Sequence, residues 1–498
     1  MNGKSQPLPE YHPPDPDLHF MASEHRIYDY THLFHFALRL RERLADVEVS
    51  EKRPVLLFAD SSDRLVFSIA SLFLLNIPYL VLRRDMPSKD LDRVLEHIKP
   101  ACILETGDSA STLSGTHGLD VVQTETTWME REAYWTPEKF TLADPGDIAG
   151  YFLTSGTTGS PKIVPLKRRQ VLFAAFASES NVKPSPNAYW LLCLPLNHIG
   201  GISIIYRTLL YHSALFRMDR FDADAVRTFL SENPLFEAAS LVPTMLMRLM
   251  EDHLFTTHAD FKAILLGGGR IPPAFIDAAV TRGIPVVSSY GMTETCAQIA
   301  ANPILRPSGT YYPKSSVGDI FPPNQIEIRN EEGKVLPAIE EGVIWLIGPQ
   351  VFDGYTDESL NAGVFDDDGW FCTGDYGHLN RYKQLFIGSR RTDLIVTGGE
   401  NVNPFYVESV LNGLKGVAES AVIGVPDPEW GQRVIAMVTG DKELTDPASL
   451  KKELGRKLYD FQVPKEIHIV KELPKTDLGK IKRSELQGIY TSLVQGEY

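Results

Sequence analysis

Between residues 31 and 105 the apolar positions switch repeatedly between a helical period and short continuous runs. Thr31 to Leu44 carries apolar residues at helical spacing, Pro54 to Ala59 is a short run, and Leu65 to Leu75 is helical again. Tyr79 to Leu82, Ser88 to His97 and Ala101 to Glu105 then repeat the sequence of run, helix and run. Short apolar runs between helical periods read as buried strands, and a βαβαβ order implies a parallel sheet with both faces covered. The alternation resumes with a helix near Arg169 to Ser180, a strand at Ala188 to Leu194, a helix after Gly200 and a strand at Ala214 to Arg217. Phe261 to Leu266 and Pro285 to Ser289 add two more strands, so a second α/β lobe is expected.

From about Val317 to Leu385 the helical period fades. Short alternating strands such as Gln325 to Arg329 and Val343 to Gly348, separated by Gly, Asp and Pro, predict a small β subdomain. The polar knot Ser389 to Asp393 precedes a further unit with a helix near Pro404 to Leu414, strands at Ala418 to Val425 and Val434 to Thr439, and a helix at Pro447 to Leu458. The fold class is therefore α/β: a large N-terminal domain of two α/β lobes plus a small β subdomain, then a small α+β C-terminal domain. The boundaries read as a disordered tail at 1–20, an N-terminal domain at 21–391 and a C-terminal domain at 392–498. The first twenty residues lack a basic stretch followed by an apolar core, which separates them from a signal peptide. Leu65 to Leu82 is interrupted by Ser68, Ser71, Asn76 and Pro78, so it reads as a helix and a strand, and no membrane span is expected.

Composition narrows the function. With 498 residues and 43% hydrophobic content the chain can bury a large core, and a formal charge of -15 argues against a broad nucleic-acid or anionic-membrane surface. A local basic pocket for an anion remains compatible with that charge. Cys102, Cys193, Cys296 and Cys372 are far apart without metal-ligand spacing, which fits a reducing cytoplasm and suggests neither a disulfide framework nor a zinc site.

The candidate chemistry centres on YFLTSGTTGSPKIVP at 151–165. Gly156 and Gly159 permit close backbone approach, Thr154, Ser155, Thr157, Thr158 and Ser160 supply hydroxyls, and Lys162 supplies a point charge, all suited to a polyphosphate. The Walker pattern differs, since it needs a longer gap between its glycines, Lys-Ser/Thr directly after the second, and a following helix. A solvated Ser/Thr hairpin is the competing reading of this loop by itself. Two strands end in Gly267–Gly268–Gly269 and in Tyr290–Gly291–Met292–Thr293–Glu294, and in open parallel sheets ligands sit beyond the strand C-termini. Asp375 stands out on the turn-rich stretch 365–380, between Gly374 and an aromatic, where a carboxylate needs hydrogen-bond donors. Lys480 follows Gly479 at the apex of a basic loop in an acidic chain.

The ordered set TSGTTGSPK at 154–162, LPLNHIGG at 194–201, LGGG at 266–269, YGMTE at 290–294, TGD at 373–375, SRRTDLIVTGGEN at 389–401 and GKIKR at 479–483 resembles the superfamily of adenylate-forming enzymes. That resemblance spans roughly residues 30–490 and implies an ATP-dependent carboxylate–CoA ligase. Such an enzyme forms an acyl-AMP with release of pyrophosphate and then an acyl-CoA thioester; ATP, Mg²⁺ and coenzyme A are implied with it. By resemblance, Thr154 to Lys162 hold the β- and γ-phosphates, Glu294 helps to hold Mg²⁺ and Thr293 meets the α-phosphate. Asp375 accepts the ribose hydroxyls, with Arg390 beside it, while Gly268, Gly269, Tyr290 and Gly291 border the nucleotide. Lys480 matches the catalytic lysine of adenylation, and His198 a gate between acyl pocket and CoA tunnel. Thr392 matches the hinge of a mobile C-terminal domain whose loop Gly398, Gly399, Glu400 and Asn401 lines that tunnel. Asn197 and Thr392 depart from the residues often found at their positions in relatives.

Within the superfamily the closer resemblance is to o-succinylbenzoate–CoA ligases of menaquinone synthesis, through residues 194–211, 289–299 and 398–411. That acid has a second, unreacting carboxylate, and Arg207, Thr295 and Gln298 are the pocket residues of the right chemistry. The alternatives are another aryl or medium-chain acid, or a stand-alone enzyme that loads a carrier protein. The partners expected are small molecules, with no nucleic acid, and a homodimer is left open.

Overall fold

The computed structural model describes all residues except 1–12, 61, 108–117, 132–143, 155–160, 270–272, 308–311, 314, 331, 388–394, 403, 442–445, 475–480, 482 and 496–498. The chain divides into a larger unit and a smaller one made mainly of residues 390–498, together with the short stretches 85–93 and 155–162.

The larger unit contains two mainly parallel sheets. In the first, of six strands, Val55–Phe58 lies at the centre with Tyr79–Leu82 on one side and Cys102–Glu105 on the other. Asp120–Gln123 extends one edge; Ile148–Thr154 and Lys162–Lys167 extend the other. The three central strands are almost wholly apolar because both their faces are covered, and every residue of Val55–Phe58, Tyr79–Leu82 and Cys102–Glu105 is buried. The helix Asp63–Leu74, capped by Ser62 accepting from the Leu65 amide at 3.1 Å, is buried along nearly its whole length.

The second sheet has nine strands, with Tyr189–Leu192, Ala214–Arg217, Phe236–Leu241, Ala263–Leu266 and Val286–Met292 parallel at its heart. Towards its far edge His19–Ala22 pairs parallel with Ala214–Arg217, and Ile27–Asp29, antiparallel to it, closes that edge. This corrects the end of the tail expected at 1–20: Phe20 is fully buried in a strand of the second lobe, which precedes the first lobe in sequence. The helices Ala223–Glu232 and Pro243–Met250 with the intervening strand Phe236–Leu241 fill residues that the sequence pattern left unassigned. The small β subdomain is a four-stranded antiparallel sheet of Gln325–Arg329, Gly342–Ile347, Phe371–Leu379 and Leu385–Ile387.

The smaller unit has its own sheet and core. Val417–Asp427 and Gly431–Gly440 form a long antiparallel pair, Glu466–Ile469 adds in parallel, and Ile395–Thr397 with Glu400–Val402 makes a hairpin at the other edge. The helices Pro404–Asn412, Pro447–Leu454 and Arg483–Gln495 complete it. Among the described residues no helix is long and apolar enough to cross a membrane.

Two expected loops prove to be strands. Tyr290 to Met292 continues the strand Val286–Met292 and pairs antiparallel with Ala297–Ala301, with a register shift between Tyr290 and Gly291. A Cβ at Gly291 would lie 1.8 Å from the Ala297 carbonyl oxygen, so only glycine lets the return strand approach. Asp375 lies inside the strand Phe371–Leu379, at a register irregularity that shifts its pairing with Gly342–Ile347. Gly291→Ala should lower stability by about 1–3 kcal/mol, as overpacking against fixed backbone does, and chemical denaturation would show it as a reduced midpoint at unchanged m.

Candidate active site

The short 3₁₀ turn Thr293–Thr295 joins Val286–Met292 to Ala297–Ala301, and the two residues after Glu294–Thr295 take up a left-handed backbone, Cys296 at φ 51° and Ala297 at φ 72°. Non-glycine residues adopt that conformation at a cost and hold it only where surrounding bonds over-determine it. Here the Thr295 hydroxyl accepts from the Met292 amide at 3.0 Å and has Met292 O at 3.1 Å and Ala297 O at 2.9 Å as acceptors within the same turn. From outside, Gln350 Nε2 donates to the carbonyls of Thr295 at 2.7 Å and Gln298 at 2.6 Å. The Thr295 side chain therefore serves the turn.

Glu294, only 8% exposed, is gripped twice by the segment that follows Gln350. The Phe352 amide donates to the Glu294 carbonyl at 2.8 Å, and the Tyr355 hydroxyl donates to Glu294 Oε1 at 2.7 Å. Burial, and then the Glu294 charge, push the Tyr355 phenol well above its usual range, so it remains a donor. One residue further, the Thr356 amide donates to the Ile163 carbonyl at 3.1 Å, on the strand that leaves the Gly/Ser/Thr loop. Asp353 receives Arg169 Nη2 on both oxygens, at 2.8 and 2.9 Å, and Lys167 Nζ at 3.1 Å. Gln170 Nε2 donates to the Val351 carbonyl at 3.0 Å. The segment 349–356 is thus a strap between the exit of the loop and the acidic turn.

Tyr290 and Asp375 meet across the lobe and the β subdomain: the Tyr290 hydroxyl donates to Asp375 Oδ2 at 2.9 Å, both residues being buried. The Thr373 hydroxyl, which donates to Ile344 O at 2.8 Å, accepts from the Asp375 amide at 3.1 Å and fixes the bend. Gly268 and Gly269 follow the strand Ala263–Leu266, as the sequence suggested.

A second cluster lies along the helix Ile199–Tyr211, for which His198 is the N-cap residue. A Cβ at Gly201 would come within 2.4 Å of the Pro195 carbonyl oxygen, which explains the glycine after His198–Ile199–Gly200. On the last turns of this helix Arg207 is 3% exposed, with its guanidinium over the Trp190 ring at 5.2 Å. It bonds Ser203 Oγ and Gln298 Oε1, both at 3.4 Å, and the Tyr211 hydroxyl, while its Nε has no partner. Burial lowers its pKa, opposed by Tyr211 and Cys296, and no carboxylate is among the groups that act on it. Gln298 Nε2 is likewise buried and without a partner. The two side chains present donors without acceptors, which suits an anion.

The structure ties Glu294 to the exit of the Gly/Ser/Thr loop through the segment 349–356, pairs Tyr290 with Asp375, and places Arg207 beside Gln298. Thr154 ends the strand Ile148–Thr154 and Lys162 begins Lys162–Lys167. Gly398 and Gly399 close the hairpin of the smaller unit, with Glu400 and Asn401 in its second strand. Ser155, Gly156, Thr157, Thr158, Gly159, Arg390, Thr392 and Lys480 lie outside the described residues. Sequence reasoning missed Tyr355 and Gln350; the short motif Gly354–Tyr355 was the only local signal for the first, and Gln350 had none. Among the described residues no group of three or more His, Cys, Asp or Glu could hold a metal ion. A lone buried carboxylate still fits Mg²⁺, which is bound through one or two carboxylates plus substrate phosphates and water.

Comparison with known proteins gives the same direction. A family model described as AMP-binding enzyme matches residues 10–356, and one described as AMP-binding enzyme C-terminal domain matches residues 406–480. A 2-succinylbenzoate–CoA ligase of Enterococcus faecalis is 34% identical over 435 residues, 87% of this chain and 88% of that protein. Among solved structures, a double mutant of the o-succinylbenzoate CoA synthetase from Bacillus subtilis, bound with a product analogue, superposes with a TM-score of 0.83 at 29% identity over 95% of this chain and 96% of that one. The same synthetase in complex with ATP and magnesium ion superposes at 0.68 with 28% identity, over 95% and 97%. An amide bond synthetase from Marinactinospora thermotolerans gives 0.82 at 25% identity, over 95% and 97%.

An underpaired buried charge costs stability, and an apolar residue of similar volume relieves that cost. Arg207→Met should therefore leave the unfolding free energy of the ligand-free protein unchanged or raise it by up to about 4 kcal/mol, as read by urea denaturation.

Proposed function

The chain belongs to the AMP-binding enzyme family, as an AMP-forming acyl-CoA ligase, and on that premise we propose that its acid is o-succinylbenzoate, joined to coenzyme A while ATP is cleaved to AMP and pyrophosphate. The observation that carries the substrate is Arg207: a buried guanidinium with an open Nε and no acidic partner, beside an aromatic ring and an open amide of Gln298. An acid with one carboxylate to activate and a second to anchor supplies what this pocket lacks. The names of the Enterococcus and Bacillus proteins support the same acid.

In the first step the reacting carboxylate attacks the α-phosphorus and pyrophosphate leaves. Thr154 and Lys162 flank the loop that would hold the departing phosphates, and Glu294 would hold Mg²⁺, which neutralises phosphate charge when bound. Asp375 would accept from the ribose hydroxyls through the oxygen not engaged by Tyr290. Lys480 would offset the negative charge that builds as the two anions approach, which is electrostatic stabilisation of the transition state. In the second step the thiol of coenzyme A attacks the acyl carbonyl and AMP leaves; His198 and the Gly398–Asn401 hairpin would border its path.

Pyrophosphate release should occur with o-succinylbenzoate and ATP, and thioester should form when CoA is added. Release only with other aryl or medium-chain acids would overturn the substrate, and product formed only on an amine or a carrier protein would overturn the acceptor. Arg207→Met should erase the preference for o-succinylbenzoate over an analogue lacking the second carboxylate, at least tenfold in kcat/KM, given about 2–5 kcal/mol for a buried charge-assisted pair. Lys480→Ala should slow adenylation by about 10²–10³ while thioester formation from preformed acyl-AMP survives; Lys162→Ala should slow adenylation less. Equal loss in both half-reactions for Lys480→Ala would contradict its assigned role.

A further inference from the structure

Tyr355 is held as firmly as any residue near the acidic turn. Asn361 takes both of its main-chain groups, accepting from the Tyr355 amide at 2.8 Å through Oδ1 and donating to the Tyr355 carbonyl at 3.1 Å through Nδ2. Its ring, 8% exposed, meets Phe352 edge-on at 4.9 Å. Two residues on either side of that anchor tie into neighbouring elements: Phe352 to the Glu294 carbonyl and Thr356 to Ile163. The phenol therefore reaches Glu294 from a fixed base, with no freedom to follow the carboxylate if it turns.

We propose that Tyr355 is a positioning residue for Glu294, holding Oε1 by its hydroxyl at 2.7 Å so that the carboxylate keeps the one rotamer that would serve the magnesium ion of the bound nucleotide. This rests on the reading of Glu294 as the metal-holding carboxylate. A carboxylate free to rotate exchanges its two oxygens between orientations, and each rotamer other than the productive one is a conformational loss at every binding event. A hydrogen bond from a neutral donor fixes the rotamer without adding a competing positive charge that would repel the cation. The same bond would be expected to leave contacts at the adenosine end untouched, since those run through Tyr290 and Asp375 on other elements.

Tyr355→Phe removes the hydroxyl alone and keeps the ring against Phe352. Titration calorimetry with AMP in the absence of metal should give the wild-type affinity. With a non-hydrolysable ATP analogue, the Mg²⁺ concentration needed for half-maximal binding should rise about tenfold. In a Glu294→Gln background, adding Tyr355→Phe should produce no further rise, because the carboxylate that it positions is gone. Thermal unfolding of each variant separates these shifts from loss of fold, as a protein weakened overall would lose AMP affinity too. An unchanged Mg²⁺ requirement in Tyr355→Phe, or an equal rise in both backgrounds, would overturn the positioning role while leaving the ligase reading intact. An unchanged requirement in Glu294→Gln itself would overturn the metal role of Glu294 and this proposal together.

Discussion

Glu294 is fixed at both its carbonyl and its carboxylate by one segment, and that double grip is the constraint on which the arrangement of the site depends. The turn that carries Glu294 passes through two consecutive left-handed residues, Cys296 and Ala297, and would not hold that course unaided. Gln350, fully buried, donates to two carbonyls of the turn and its return strand, and Phe352 donates to a third. Each of these donors sits in an apolar environment where leaving either partner unmet costs about 1–3 kcal/mol, so the strap and the turn stabilise one another or neither persists. The Asp353 pair with Arg169 and Lys167 then pins the strap to the first turn of the helix Arg168–Glu179, immediately after the strand that leaves the Gly/Ser/Thr loop. The exit of the Gly/Ser/Thr loop and Glu294 are in this way referred to a single frame, although they come from chain segments more than 130 residues apart.

The acid pocket follows another logic. Arg207 is not over-determined: two of its hydrogen bonds are long, its Nε is open and its charge is opposed by burial. A folded protein that carries such a group accepts lower stability in the ligand-free state, and the deficit is recovered only when an acceptor arrives. An anionic ligand therefore gains from groups already desolvated and already aimed, which is the advantage of preorganisation. The contrast with Glu294 is instructive. One group is held by several partners; the other keeps a buried donor without one.

Much of the fold was legible from periodicity because parallel strands buried on both faces read as continuous apolar runs. Val55–Phe58, Tyr79–Leu82 and Ala214–Arg217 are of this kind. What failed was order in space. His19–Ala22 is a strand of the second lobe although it precedes the first in sequence, and a short segment among Pro, Asp and His carries no periodic mark of a partner near residue 215. Tyr290–Met292 and Asp375 were read as loop residues because glycine lies beside each, yet these glycines mark a close approach and a register shift inside strands. At the site, the sequence drew attention to groups with a strong local composition, namely the Gly/Ser/Thr loop, Glu294 and Asp375, while the burial of Arg207 is visible only in the structure. Tyr355 and Gln350 drew none, since an aromatic after glycine and a glutamine before valine are ordinary, and only their long-range partners give them a role.

Gln298 is where the two regimes touch. Its carbonyl accepts from Gln350, so its backbone belongs to the frame that fixes Glu294. Its side-chain oxygen faces Ser178 Oγ at 3.2 Å and Arg207 Nη2 at 3.4 Å, so its amide belongs to the acid pocket. Changes of Arg207 and of Tyr355 touch no common atom, and on distance and partners alone their effects should add. Gln298 is the exception built into the strand: an anion that draws Arg207 away from Oε1 removes one of its two donors and leaves Ser178 Oγ as the other, while the Gln298 backbone stays clamped. That clamp confines the response to the side chain. The return strand that carries Gln298 thus joins the surroundings of Arg207 to those of Glu294 through a backbone that Gln350 holds in place.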